Sequence, residues 1–486
     1  MGMREKCARL VEDLFNGIDA GDFASIEKIP EQYTYLHLYA LMKLANELDN
    51  GRELYENLFN LAVECGRYYI GTKMQKGEKV KVCFLAISAA EWPASELYRF
   101  LTKDDRIDCY IVIAPLTDRD AETRKDTYRR TKEYFVQNGY DIREIYDIEK
   151  DDCLSWSDLG GVPDILIHLN PWFSSLPAAC QVVSFPLHCI HCYLPYGIHV
   201  EDSVDGKYCP NLVYNHDFVN MMWKTWTDSE KNMEGYRKYG MRQGRNVVFS
   251  GYAKMDYFYE TREWTDKEIR KLWKIPEGKS VCEIRRVIIA PHHAMAGYGG
   301  ILFSTFPRNA FFLLYLAKKY QDKIAFIFKP HPNLRLRAVE AGVFESYEAY
   351  DDYLREWDSL PNAKVVQESS YLEIFDTSDG MIMDSISFIA EYLYVNKPLL
   401  FLKRNGQAFN KLGTKLMRAY NTAWGEDYSE IEKFLQEVIL KGNDEKKELR
   451  RTIWQEELDY VRVNQCLASE FAYNDICSLL DNNADH

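Results

Sequence analysis

SDGMIMDSISFIAEYLYVNKPLLFL, residues 378–402, sets the reading of the fold. The runs GMIMD (380–384) and PLLFL (398–402) are short, continuous and apolar, as strands are when both faces of a parallel sheet are covered. Between them, Ser385 to Val395 reads as a helix stopped by Asn396, Lys397 and Pro398, because proline disfavours helical geometry in the residue before it. A strand, helix, strand crossover results, which is the connection that parallel neighbours need. RRVIIAP (285–291) and KIAFIFK (323–329) repeat the strand pattern upstream. An earlier series starts after Lys79: VKVCFLAI, the helix-like WPASELYRFL, then IDCYIVIAP. A charged helical stretch over roughly 119–138 follows, with further strands predicted at DILIHL (164–169) and CQVVSFPL (180–187).

A chain of 486 residues exceeds what one core usually organises, so two α/β bodies with helical additions are expected. We place a helical N-terminal region at 1–75, Rossmann-like domains at 76–245 and 246–430, and C-terminal helices at 431–486. Cys7, Leu10, Val11, Leu14, Phe15 and Ile18 form an apolar stripe in the first region. Ser429 and Glu432 read as a capping box opening the last region, with Gly442 as the left-handed stop of its first helix.

A formal net charge of −14 excludes a protein that coats nucleic-acid backbone, which needs a basic surface. The 12 cysteines are scattered, several inside apolar runs where a thiol packs as a small hydrophobe, and a reducing cytosol is the simplest setting. No apolar run approaches the roughly 20 residues that span a bilayer, and no signal peptide is evident.

Three stretches carry candidate chemistry. In FIFKPHPNLRLR (326–337), Lys329, His331 and Arg335 cluster just past a strand's carboxyl end, where open parallel sheets bind ligands. Held between two prolines, His331 loses little freedom on donating to a phosphate; the plainer reading is a structural His capping local carbonyls. Asp384 ends a strand, and Ser385 and Ser387 open the predicted helix, whose free amides favour an anion. Ordinary N-capping is the alternative there. Glu391, a turn further on, accepts from ribose hydroxyls or faces solvent.

IIAPHHAMAGYGGILFSTF (288–306) adds His292 and His293, which offer base or phosphate-donor chemistry or merely decorate the surface. Its glycines Gly297, Gly299 and Gly300 form no nucleotide fingerprint but permit a mobile backbone near a ligand. HCIHCYLPYGIH (188–199) gathers His188, Cys189, His191, Cys192 and His199 and invites a zinc reading. A strand throws residues 189 and 192 to opposite faces, and no finger-like second pair follows, so packing is preferred and no metal or cofactor is expected.

Taken in order, these stretches resemble the CDP-glycerol glycerophosphotransferase family, the polymerases and primases of teichoic-acid-like chains, over about residues 190–402. VVFSGYAKMDYF (247–258) is similar to the family's Thr-Gly-Tyr-Pro-Arg-Asn-Asp segment, matching at Gly251, Tyr252 and Asp256. IIAPHHA resembles its Ala-Pro-Thr-Trp-Arg strand end, and FKPHP its His-Pro motif at His331 and Pro332. MIMDSISFIAEYLYVNKPLLFL resembles its Thr-Asp-Tyr-Ser-Ser helix start, with Asp384 and Ser387 matching and Ile386 in place of the first Ser. Where the family carries Trp-His-Gly, this chain has Pro195, Tyr196 and Gly197. A tyrosine of ordinary pKa, about 10, is a poor proton acceptor at neutral pH.

The resemblance implies the GT-B fold, with two Rossmann-like domains facing a cleft, the first for the acceptor and the second for the nucleotide donor, and helical N- and C-terminal additions. It implies transfer of glycerol phosphate, or a related polyol phosphate, from CDP-glycerol or a similar donor to a hydroxyl of a cell-surface glycan or lipid-linked teichoic-acid-like acceptor, releasing CMP. The donor would be held by Lys329, His331, Arg335, Asp384, Ser385, Ser387, Glu391 and Gly251, with His199, His292 and His331 as the catalytic candidates. Such a protein works in the cytoplasm and meets its acceptor by peripheral contact at the inner face of the plasma membrane. Two rivals stay open: a GT-B glycosyltransferase using a CMP- or UDP-sugar for capsule or surface polysaccharide, and a non-catalytic nucleotide-binding module.

Overall fold

Two helices, α1 (Tyr35–Leu44) and α2 (Gly51–Gln75), open the described chain. The structure, a computed structural model, describes residues 34–45, 50–295, 301–367 and 371–481. The stripe from Cys7 to Ile18 lies outside these residues, as do Gly297, Gly299 and Gly300. No described helix is long and apolar enough to cross a membrane.

From Val80 the period changes to strands. β1 (Val80–Ala86), α3 (Ser95–Lys103), β2 (Ile107–Ile113), α4 (Ala121–Gln137), β3 (Ile165–His168), β4 (Ile190–Tyr193), β5 (Lys224–Thr227), α5 (Glu230–Tyr239) and β6 (Val247–Phe249) follow. The six strands form one parallel sheet ordered β2-β1-β3-β4-β5-β6. The strand expected over 180–187 is absent. That stretch makes two 3₁₀ turns, Ala178–Cys180 and Val182–Ser184. Pro177 and Pro186 bracket it without N–H groups to offer a ladder. The strand beside β3 is instead β4, inside the His/Cys cluster.

A second series comprises β7 (Arg285–Ala290), α6 (Phe306–Lys319), β8 (Ile324–Phe328), α7 (Leu334–Glu340), α8 (Tyr347–Ser359), β9 (Ala363–Val365), α9 (Leu372–Thr377), β10 (Gly380–Met383), β11 (Leu399–Lys403) and β12 (Asn421–Trp424). Its sheet is parallel, ordered β9-β8-β7-β10-β11-β12. Counted within this series the order is 3-2-1-4-5-6, that of a dinucleotide-binding Rossmann sheet. Helix α6 shows how the core is made: Phe306, Ala310, Leu313, Leu314 and Ala317 fall on one buried face, while Lys318 and Lys319 close its last turn against the dipole.

The closing helices are α10 (Tyr428–Lys433), α11 (Lys447–Glu457), α12 (Tyr460–Asn464) and α13 (Ala468–Asp481). Asp427, not Ser429, caps α10 by accepting from the Glu430 N–H, and Gly442 takes the left-handed φ of 78°. The chain divides into two compact units. The first takes the chain up to Gly197, Asn211–Asp256 and the segment from Tyr460; the second is Ile198–Pro210 with Tyr257–Asp459. The changeover thus falls after β6, and α12 and α13 return to the first unit.

Candidate functional site

In an open parallel sheet the ligand crevice lies beyond the carboxyl ends of the strands, where the strand order reverses. In the second unit that reversal is between β7 and β10, each paired with the other. The chain leaving β7 carries His292 and His293, and the chain leaving β10 carries Asp384 and Ser385. His331 leaves the adjacent β8, its N–H donating to the Pro291 carbonyl at 3.4 Å, while Lys329 N–H donates to Ile289 O at 2.8 Å. The sheet topology therefore gathers residues that lie up to a hundred positions apart in the chain.

Asp384 is the tie of this corner. Its Oδ1 accepts from the His292 N–H at 2.6 Å, and its Oδ2 accepts from the N–H and, at 2.7 Å, the hydroxyl of Thr305, which precedes α6. Burial pushes its carboxyl up to about 6, and these same hydrogen bonds oppose the rise. Thr305 Oγ1 also accepts from Asn309 Nδ2 at 2.8 Å, so the tie reaches into α6.

The three imidazoles stand together. Ring centroids are 3.9 Å apart for His293 and His331, 4.4 Å for His292 and His293, and 5.6 Å for His292 and His331. Burial holds His331 down at about 3 and His293 at about 4, with His292 well below its ordinary value. Like charges among the rings add to the shift at His292 and His331. All three are neutral at pH 7. His292 Nδ1 accepts from the Ala294 N–H and His331 Nδ1 from the Asn333 N–H, each at 3.1 Å. With Nδ1 accepting, the proton of each neutral ring sits on Nε2, so both present an N–H donor, as an anionic oxygen requires.

The other expected residues are placed variously. No α-helix starts at Ser385. Ser385 Oγ takes the Ser387 N–H at 3.3 Å, and regular structure begins only with the 3₁₀ turn Glu391–Val395. The serine hydroxyl competes with helical bonding, and the backbone bonds that follow it are isolated ones, Ile389 N–H to Ile386 O at 3.3 Å and Tyr392 N–H to Phe388 O at 3.0 Å. Glu391 is buried and accepts from the Tyr371 hydroxyl. Lys329 lies 5.6 Å above the Tyr371 ring. Arg335 turns to the surface in a bidentate pair with Asp351 at 2.8 and 2.7 Å. His199 belongs to the second unit, its Nδ1 3.4 Å from Glu201 Oε1 and its carbonyl accepting from Asn410 Nδ2 at 2.8 Å.

Gly251 belongs to the first unit, where its φ of 91° seats the ring of Tyr460. Asp256 accepts from the Tyr460 hydroxyl at 2.6 Å and from the N–H groups of Ala468 and Ser469, each at 2.9 Å. The Gly251–Asp256 segment thus anchors α12 and α13. Tyr196 contributes its carbonyl, which accepts from the Tyr252 hydroxyl.

Sequence reasoning passed over Arg404, whose guanidinium donates to Met295 O at 3.0 Å and Ser304 O at 2.6 Å on either side of the β7–α6 connection. Its signal was its place just past a strand, β11, on the carboxyl side. The His/Cys cluster is core: Cys189 and Cys192 are fully buried, His191 Nδ1 lies 2.8 Å from His168 Nε2, and His188 stacks on Tyr69 with centroids 4.3 Å apart. Among the described residues no three His, Cys, Asp or Glu side chains converge as a metal-holding group.

Residues 204–474 match the family model of CDP-glycerol:poly(glycerophosphate) glycerophosphotransferases. No curated protein matches the sequence. Among solved structures, a variant of the wall teichoic acid polymerase TagF is similar at a TM-score of 0.52 and 12% identity, over 84% of this chain and 90% of that one. A TagF variant soaked with CDPG gives 0.51 and 11%, over 87% and 94%. The UDP-GlcNAc 2-epimerase of Neisseria meningitidis, bound to UDP-GlcNAc, gives 0.51 and 15%, over 82% and 100%. At these identities the likeness carries the fold, which is GT-B-like, two parallel α/β sheets with helical additions. The family match covers more than half of the sequence, and the chain belongs to the CDP-glycerol:poly(glycerophosphate) glycerophosphotransferase family of transferases.

Proposed function

We propose that the chain moves glycerol phosphate, or a related polyol phosphate, from a CDP-linked donor to a hydroxyl of a cell-surface glycan or teichoic-acid-like acceptor and releases CMP. One observation carries this reading: His292, His331 and Asp384 meet at the strand-order reversal of a 3-2-1-4-5-6 sheet lying within the family match. A diphosphate bound there takes Nε2–H donors from two neutral imidazoles, while Asp384 holds the backbone that positions them. Lys329 supplies positive charge beside His331. Positioned donors act where charge develops in the transition state, and that is the main demand of phosphoryl transfer.

The second unit is the donor unit in this reading and the first is the acceptor unit, with an envelope polymer met by peripheral contact at the inner membrane face. Soluble CDP-glycerol should raise the melting temperature of the full chain, because a ligand of the native state stabilises it by mass action. Labelled CDP-glycerol with an oligomeric polyol-phosphate acceptor should then yield CMP and an extended acceptor. Extension from UDP- or CMP-sugars alone makes the chain a glycosyltransferase, and stabilisation by CDP-glycerol with no CMP from any acceptor makes it a binding module.

A further inference from the structure

Strand β12 lies at the edge of the second sheet, and Trp424, its last residue, is 44% exposed. The chain then turns into α10. Trp424, Glu426, Asp427, Tyr428 and Ser429 line an open pocket of about 740 Å³ together with Asn405, which follows β11. All six belong to the second unit and sit at or beyond the carboxyl ends of these two strands. Two strand spacings, roughly 10 Å, separate β12 from β10. The pocket is tied to the Asp384 corner through Asn309, whose Nδ2 donates to Gly425 O at 3.1 Å and to Thr305 Oγ1 at 2.8 Å.

Its walls are held in place. The Tyr428 ring stacks on Phe312 with centroids 4.2 Å apart, and its hydroxyl donates to Arg308 O. Glu426 Oε1 pairs with Arg308, while Asp427 Oδ1 accepts from the Ser429 hydroxyl at 3.0 Å and the Glu430 N–H at 3.1 Å. Each carboxylate is thus fixed by one oxygen. Glu426 Oε2, Asp427 Oδ2, the Trp424 Nε1–H and the Asn405 amide take no hydrogen bond among the described residues.

Fixed aromatic faces beside open acceptors and donors suit a ring that carries hydroxyls. Its C–H groups lie on the electron-rich aromatic face, and each hydroxyl donates to a carboxylate or accepts from an N–H. Charge narrows the ligand further. The two charged residues of the lining are both carboxylates, which repel a phosphate. A cation finds its places taken, since Lys403 Nζ stands 5.2 Å from the Trp424 ring centre and Arg308 and Arg404 face Glu426. We propose that this pocket binds an uncharged sugar ring of a glycan, at a site separate from the corner of His292, His331 and Asp384 and independent of the transferase reading. A glycan held there stays on the unit that carries that corner, which raises its local concentration.

The test is saturation-transfer NMR on the full chain without any nucleotide donor. The probes are the methyl glycosides of a neutral hexose and a neutral N-acetylhexosamine, with glycerol phosphate and choline as charged controls. At least one neutral glycoside should bind saturably at about 1–10 mM. Trp424→Ala should weaken it about tenfold or more, the loss expected of an aromatic anchor. Asn405→Ala should weaken it about three- to tenfold, by removing one hydrogen-bonding partner. Both residues are exposed, so both variants should melt as the wild type does, and Asn405, whose side chain bonds to nothing in the chain, carries the test if Trp424→Ala does not fold. Neutral glycosides that do not bind, or that bind both variants as they bind the wild type, overturn the proposal. So does choline or glycerol phosphate binding more tightly than either glycoside and losing that binding in the same variants.

Discussion

His331 shows how a single residue is tuned by its surroundings. Its ring is buried beside two other imidazoles, and burial, then the neighbouring charge, hold its pKa at about 3. The sign of the linked effect follows: the unfolded chain takes up this proton below pH 6.5 and the folded chain does not, so stability is full above 6.5 and falls as the pH drops toward 3. His331→Asn keeps an oxygen near the position of Nδ1 for the Asn333 N–H but removes the titrating ring and the Nε2–H. Its urea-melt stability between pH 6.5 and 4 should therefore decline less steeply than the wild type's, by up to about 1.4 kcal/mol per pH unit. Turnover with CDP-glycerol should drop by about 10²-fold at unchanged circular dichroism. Equal slopes in the two proteins would show that the ring is protonated in the fold. Asp384 opposes this trend, since its raised carboxyl favours the fold at lower pH, so the comparison must be between the two chains and not against pH alone.

At the scale of elements, the connection most open to attack is the seat of α12. A Cβ on Gly251 would lie 2.1 Å from Tyr460 Cγ, and the φ of 91° strains any side chain there. Gly251→Ala should cost roughly 2–4 kcal/mol, combining overpacking with backbone strain. The damage should appear first as faster amide exchange in Ala468–Asp481, because Asp256 and Tyr460 cap and hold that helix. Gly278→Ala is the control: its φ of 76° is also left-handed, but a Cβ there meets nothing within 4 Å. It should cost only about 1–2 kcal/mol. If both variants melt alike and exchange alike, the seat carries no weight in the fold.

On the scale of the whole molecule, the chain leaves its first unit and comes back to it at the end. Helix α13 buries Ile476, Leu479 and Leu480 in the first unit, and three such side chains are worth roughly 5–9 kcal/mol, about the entire stability of a domain. A chain ending at Asp459 should therefore lose the cooperative melting of the first unit, while the second, whose sheet and core lie within Ile198–Pro210 and Tyr257–Asp459, still melts as one. Differential scanning calorimetry of the truncated and full chains reads this directly. Two intact transitions in the truncated chain would refute it.

The two parallel sheets were legible in the sequence because their signal is local. Continuous apolar runs such as VKVCFLAI, RRVIIAP and KIAFIFK, ended by a serine, a proline and a lysine, are what strands buried on both faces require. His292, His331 and Asp384 were legible for the same reason, since each follows a strand and the carboxyl ends of parallel strands are where ligands bind. The rest depended on distant partners. Whether Ser385 opens a helix was decided by the serine's own hydroxyl, where Arg335 points by Asp351, and what Gly251 is for by Tyr460, 209 positions later. Periodicity alone determined the elements and the ends at which chemistry can sit. Which side chains meet there, and which are left bare, was decided by strand order and burial, which arise only when segments far apart in the chain pack together.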